Sequence, residues 1–149
     1  MVKELSLEES YDLCVAEGNF IPIAEINKDK IKSMLNIVDE DLLTIEELKK
    51  TNRFNTLCKL NYDVLHTLTE AFLIFDKIKV KNHKCLFTIL CLKHSDLDLD
   101  WNFFEKIRTK RNGIHYYGTN LSRDDWKELN LQTSLYINVL KTKIKQKLK

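Results

Sequence analysis

The sequence predicts an all-α fold, a bundle of five or six helices with short up-and-down connections. Three observations lead there. Glycine and proline are scarce, three and one in 149 residues, which leaves little turn chemistry for a sheet protein. Apolar residues recur at three- and four-residue spacing over long stretches. Capping signals, a Ser, Thr or Asn followed shortly by an acid or a helical run, stand at the breaks between those stretches. A hydrophobic content of 44% and a charged content of 31% are those of a globular chain rather than a disordered one. The length suits one domain spanning residues 1–149, with enough chain to bury a core without metals or disulfides.

Ser6-x-x-Glu9 is a capping box that opens a first helix carrying Tyr11, Leu13, Cys14 and Val15 and ending near Gly18. Residues 19–26, with the lone Pro22, read as an irregular connector. Asn27 or Asp29 can cap the second helix, whose Ile31, Met34, Leu35, Val38 and Leu42 keep 3/4 spacing. Thr44-x-x-Glu47 is a further capping box at which that helix can break. The third helix is the clearest: between residues 51 and 76, Leu57, Leu60, Tyr62, Val64, Leu65, Leu68, Phe72 and Ile74 fall mostly on one broad face. A short basic connector over residues 77–82 leads to a short buried helix over 83–94 with Leu86, Phe87, Ile89 and Leu90. Residues 95–100 are acidic and loop-like, and cap a helix from about Trp101 that Gly118 ends. Ser122-x-x-Asp125 starts the last helix, in which Trp126, Leu129, Leu131, Leu135, Tyr136, Val139, Leu140 and Ile144 are expected to point inward.

Several classes of function are disfavoured. Cys14, Cys58, Cys85 and Cys91 lie in apolar helical patterns with no Cys-x-x-Cys pair, as small buried thiols do in a reducing compartment. No apolar run approaches the ~20 residues of a membrane span, and the stretch from Met1 to Ser6 has no leader-like apolar region. A cytoplasmic protein without a membrane partner is expected. His66, His83, His94 and His115 make no metal-ligand pair, and Asp96, Asp98 and Asp100 lack the glycine and closing glutamate of a calcium loop. There is no phosphate-cradling glycine loop, so neither a metal nor a cofactor is expected. Cys91 and His94 have the spacing of a nucleophilic pair but a core-like setting.

The charge is unevenly spread. Residues 1–50 hold 6 basic and 12 acidic side chains, residues 51–100 hold 7 and 6, and residues 101–149 hold 11 and 4. A basic final third suits contact with a polyanion, or equally a pairing of two oppositely charged faces within the fold or a dimer. Within that third, Arg108-Thr109-Lys110-Arg111-Asn112-Gly113-Ile114-His115-Tyr116-Tyr117-Gly118 concentrates the chemistry. At about 100° per residue, Arg108, Arg111, Asn112 and His115 share one stripe of a helix. Guanidinium, amide and imidazole together can hold a phosphate and move a proton beside it. Lys110 adds charge, and Tyr116 and Tyr117 can stack on bases or donate to phosphate.

Two blocks resemble the HEPN domains, the "higher eukaryotes and prokaryotes nucleotide-binding" helical proteins, and in particular their small stand-alone archaeal and bacterial members. Leu60-Asn61-Tyr62-Asp63-Val64-Leu65-His66-Thr67-Leu68-Thr69-Glu70-Ala71-Phe72-Leu73 is similar to the family's "YDALRxLxEALL" helix. As in the family, a Lys-rich turn and a helix of the form H-x-x-L-F follow, here His83-Lys84-Cys85-Leu86-Phe87. The basic stretch is similar to the family's Arg-x(4–6)-His signature with its trailing tyrosine, matched by Tyr117. Arg108 fits by spacing, six residues before His115, while Arg111-Asn112 fits the family's local "RN" pair but lies only three residues before it. Either arginine can be the motif's.

The resemblance implies a four- or five-helix bundle that dimerises and brings two motifs to one basic cleft. It also implies a metal-independent ribonuclease for single-stranded RNA, in many members a toxin paired with a small nucleotidyltransferase antitoxin. His115 would then assist a ribose 2′-hydroxyl or protonate the leaving 5′-oxygen, and Arg108, supported by Arg111, would hold the phosphate. Asn112 and Tyr117 would orient the RNA or the histidine, and Tyr117 matches the trailing tyrosine to which, in some members of the family, the partner attaches a nucleotide. The alternative is a non-catalytic module of the same kind that binds RNA, a nucleotide or a nucleotidyltransferase. The plainest reading is a helical adaptor whose basic end is incidental.

Overall fold

The computed structural model describes residues 4–149. Residues 1–3, the start of the stretch read as lacking a leader, lie outside them. Six helices are described: α1 (Leu7–Ala16), α2 (Lys28–Leu48), α3 (Phe54–Ile74), α4 (His83–Lys93), α5 (Trp101–Tyr117) and α6 (Arg123–Leu148). Among the described residues, one 3-10 turn (Ser95–Leu97) and two three-residue strands, β1 (Phe20–Pro22) and β2 (Ile78–Val80), join the helices. The fold is mostly helical, as the glycine and proline counts lead one to expect.

The caps fall where side-chain chemistry puts them. Ser6 and Glu9 form a reciprocal box at the start of α1, and Ser122 and Asp125 do the same for α6. Asn27, not Asp29, caps α2: its side-chain oxygen accepts from the Lys30 N–H at 3.0 Å. Gly118, at φ +64°, ends α5, and the Thr119 N–H donates back to the Gly113 carbonyl at 3.0 Å. That six-to-one bond needs a left-handed residue, which glycine supplies at no steric cost.

α3 is the centre of the molecule, packed against α2, α4, α5 and α6. Twelve of its 21 residues are buried, among them Tyr62, Val64, Leu65, Leu68 and Ala71 at 0% exposure. A helix buried over so wide an arc must be covered on several sides. Phe87 of α4 stacks on Phe104 of α5 with centroids 4.6 Å apart, and Tyr136 of α6 meets the ring of Phe103 at 5.1 Å. The Tyr136 hydroxyl accepts the Asp100 N–H at 2.8 Å, so α6 fixes the start of α5 as well as its flank. Asn55 of α3 accepts the Leu121 N–H at 2.7 Å and donates to Asn120 at 2.9 Å, which holds the turn after α5.

Four details differ from the sequence reading. Residues 19–26 and 77–82 are not plain connectors: β1 and β2 pair antiparallel, Phe20 opposite Val80 and Pro22 opposite Ile78. Pro22 stands at the strand's end, where its missing N–H breaks no ladder. Helix α2 does not break at Thr44, whose hydroxyl donates to the Glu40 carbonyl one turn back at 3.3 Å instead of capping. Leu131 and Leu135 do not point inward; they are 81% and 58% exposed, because α6 is long and meets the core along only one face. Leu13 and Val15 of α1 are likewise exposed. Last, not all the cysteines are free thiols: Cys14 and Cys85, 71 residues apart, form a disulfide between α1 and α4. Ser10 and Thr88 bond hydroxyl to hydroxyl at 3.0 Å in the same interface. Cys58 and Cys91 are buried thiols, as expected. No helix among the described residues is long and apolar enough to cross a membrane.

Candidate nucleic-acid site

Helix α5 is anchored by its first half and presents its second. Asp100 caps it by accepting the Asn102 N–H at 2.9 Å, and Trp101, Phe103, Phe104 and Ile107 are buried. One turn further, the same helix carries Arg108, Arg111 and Asn112 past the start of α4, which Asn82 caps through the Cys85 N–H at 2.9 Å. Between them lies an open groove of about 330 Å³ lined by Asn82, His83 and Lys84 of the α4 end and by Arg108, Arg111, Asn112 and Tyr116 of α5.

The two arginines are held differently. Arg108 makes a two-pronged pair with Glu105 one turn earlier, Nε to Oε1 at 3.2 Å and Nη2 to Oε2 at 2.9 Å. Lys84 Nζ lies 3.9 Å from the same carboxylate. Arg111 has no carboxylate partner among the described residues within ion-pair distance. Its guanidinium lies over the ring of Tyr62 at 5.3 Å and donates to Asn112 Oδ1 at 3.3 Å. A guanidinium stacked on a ring face keeps most of its donors for a planar anion.

Beneath the groove runs a chain of aromatic and acidic groups. Tyr62 is fully buried, and its hydroxyl meets His83 Nδ1 at 3.0 Å. The rings of His83 and His66 lie 4.0 Å apart, and His66 Nδ1 reaches Glu70 Oε1 at 2.7 Å. Burial pushes the Tyr62 phenol above its usual range, against the pull of Arg108 and Arg111. The hydrogen bond from His66 holds the Glu70 carboxyl below its usual value. His83 is exposed as a whole residue, but one side of its ring is withdrawn from water. That loss of solvation, with His66 and Arg111 as cationic neighbours, pushes its pKa down to about 4. It is therefore a neutral imidazole at neutral pH.

The expected stripe of Arg108, Arg111, Asn112 and His115 is only partly brought together in the groove, because His115 lies about one turn beyond Arg111 along the same helix. Arg108, Arg111, Asn112 and Tyr116 come together in the groove, whereas His115, Lys110 and Tyr117 are not among its lining residues. His115 is exposed, its ring edge-on to Tyr116 at 4.7 Å, one ring beyond the groove wall. Lys110 turns the other way, toward Asp125 of α6 at 3.9 Å. Tyr117 is 82% exposed and stands about half a turn round the helix from Arg108. The Cys91–His94 pairing is not made. Burial raises the Cys91 thiol to about 12, and His94 Nε2 is engaged by Asp76 at 2.6 Å.

His83, which lines the groove, and Tyr62, buried beneath it, lie in the α4 and α3 blocks and not in the basic stretch. Their only sequence signal was membership of those blocks, and nothing in spacing places them beside residues 108–112. No protein-family model, no curated protein and no solved structure matches this chain.

Proposed function

We propose that this chain binds single-stranded RNA in the α4–α5 groove and cleaves it without a metal, in the manner of the HEPN ribonucleases it resembles. The observation that carries the reading is the meeting of Arg108, Arg111 and Asn112 with the α4 start in one open groove. Two guanidiniums, an ammonium and an amide in one concavity suit a phosphodiester, and the exposed Tyr116 offers a face for a base. Arg111 is the better-placed phosphate ligand, since Arg108 must first be released from Glu105. His115, beside Tyr116, protonates the leaving 5′-oxygen or assists the 2′-hydroxyl. A homodimer would set two such grooves in one cleft, and a nucleotidyltransferase antitoxin would be the partner expected of a toxin of this kind.

A second reading, a non-catalytic module that binds RNA or a nucleotide, draws on one specific feature: Glu105 already neutralises part of the groove's charge. Purified protein in EDTA separates the two. The ribonuclease reading expects cleavage of single-stranded RNA that falls at least about 100-fold in His115→Ala and Arg111→Ala, the scale of a lost acid–base group or charge stabiliser. Binding without cleavage supports the module, and cleavage by the variants equal to wild type overturns the assigned roles.

A further inference from the structure

Cleavage of RNA by its own 2′-hydroxyl needs two proton movements, one off the attacking oxygen and one onto the leaving oxygen. The basic stretch supplies a single histidine, and that histidine stands outside the groove. The imidazole that lines the groove beside Arg108 and Arg111 comes from α4. Its setting is more elaborate than a surface histidine needs. The Tyr62 hydroxyl fixes Nδ1 at 3.0 Å, and the His66 ring lies 4.0 Å away. His66 is itself tied to Glu70 at 2.7 Å. The same Tyr62 ring carries Arg111 at 5.3 Å. One buried side chain thus positions both a guanidinium and an imidazole of the groove.

Building on the ribonuclease reading above, we propose that His83 is the groove's proton acceptor and that Tyr62 is the positioning residue that aims it. The Tyr62 Oη···Nδ1 contact serves either tautomer; in the reactive one Nδ1–H donates to the Tyr62 oxygen and the Nε2 lone pair is left for substrate. His83 Nε2 takes the 2′-hydroxyl proton as the 2′-oxygen forms its bond to phosphorus. The bond from phosphorus to the 5′-oxygen breaks, and that oxygen takes a proton from His115. The products are a 2′,3′-cyclic phosphate and a free 5′-hydroxyl, and solvent restores both imidazoles.

The groups that face His83 are Tyr62, His66 and Glu70 of α3 and Arg108 and Arg111 of α5. Withdrawal from water holds it neutral in the empty groove, and His66 and the arginines add to that effect. A bound phosphodiester offsets the arginines' charge and so raises the basicity of His83 when substrate arrives.

The test compares His83→Gln, Tyr62→Phe and Arg111→Ala with wild type on single-stranded RNA in EDTA, following rate, RNA affinity, melting temperature and the pH–rate profile. A 2′-deoxy oligonucleotide, which cannot be cleaved, is titrated in parallel against the His83 ring resonances. The proposal expects His83→Gln to slow cleavage about 100-fold or more, with RNA affinity kept within about twofold and melting at neutral pH unchanged. It expects Tyr62→Phe, which keeps the ring beneath Arg111, to slow cleavage about tenfold and move the acidic limb of the pH–rate profile. The deoxy oligonucleotide should shift the His83 resonances. Cleavage by His83→Gln at the wild-type rate, with Arg111→Ala inactive, overturns the role of His83 and leaves the ribonuclease reading standing. A Tyr62→Phe profile unmoved from wild type overturns the positioning role. If the wild-type protein neither cleaves RNA nor shows a His83 shift, both readings fall together.

Discussion

At the scale of single residues, the two arginines and the histidine beneath them define the groove. His83 titrates in the folded protein near 4, below its ordinary 6.5. The unfolded chain therefore takes up a proton between those values that the folded protein does not, and stability falls as pH is lowered from about 6.5 to about 4. His83→Gln should flatten that part of a melting-temperature profile measured from pH 8 to 4. An identical slope in the variant would contradict the assignment. A second consequence concerns charge. Arg111→Ala should weaken single-stranded RNA binding about tenfold or more, as expected for a charge-assisted contact to phosphate. Lys110→Ala, which faces Asp125, should change it little, and equal losses in a binding titration would contradict the groove. The stripe of α5 that bears Arg108, Arg111, Asn112 and His115 was legible in the sequence, because helix angles follow from spacing alone, but not that the groove would end before His115. His83 was not, because its place beside Arg111 depends on how α4 crosses α5.

At the scale of elements, the capped, periodic segments were legible and the short ones were not. Ser6, Asn27, Ser122 and Gly118 each carry a local hydrogen-bonding reason for a helix to start or stop where it does. Strands β1 and β2 are three residues each, too short for an alternating pattern, and each exists only because the other is beside it. The outward turn of Leu131 and Leu135 was equally hidden, since periodicity names an apolar face but not what covers it. The disulfide is the strongest case of a contact that spacing cannot reveal. Cys14–Cys85 closes a loop of 71 residues, for which the chain-entropy relation gives about 4 kcal/mol of stabilisation. Reduction, or Cys14→Ser with Cys85→Ser, should lower the urea midpoint accordingly. The buried Ser10–Thr88 bond should leave α1 docked under native conditions. A midpoint unchanged by reductant would contradict the link.

At the scale of the whole molecule, part of the basic final third is paired with carboxylates, one of them in the acidic first third and others within the same third. Lys141 of α6 pairs with Asp39 of α2, and Lys106 and Lys110 of α5 pair with Glu128 and Asp125 of α6. The excess of base in the last third is thus not one free cationic face. The lysines of α6 near its C-terminus, among them Lys143, Lys145 and Lys149, stay exposed along the helix, while the α4–α5 groove is the concave place where Arg111 has kept its donors beside Arg108. The bundle accounts for this placement: the aromatic stack of Phe87 on Phe104 locks α4 to α5, and the groove opens at the end of that contact. The account stands on whether this groove does chemistry on RNA. The most direct measurement is end-group analysis of single-stranded RNA incubated with the wild-type protein in EDTA. The account predicts fragments ending in 2′,3′-cyclic phosphate and beginning with 5′-hydroxyl; intact RNA, or fragments ending in 3′-hydroxyl, would contradict it.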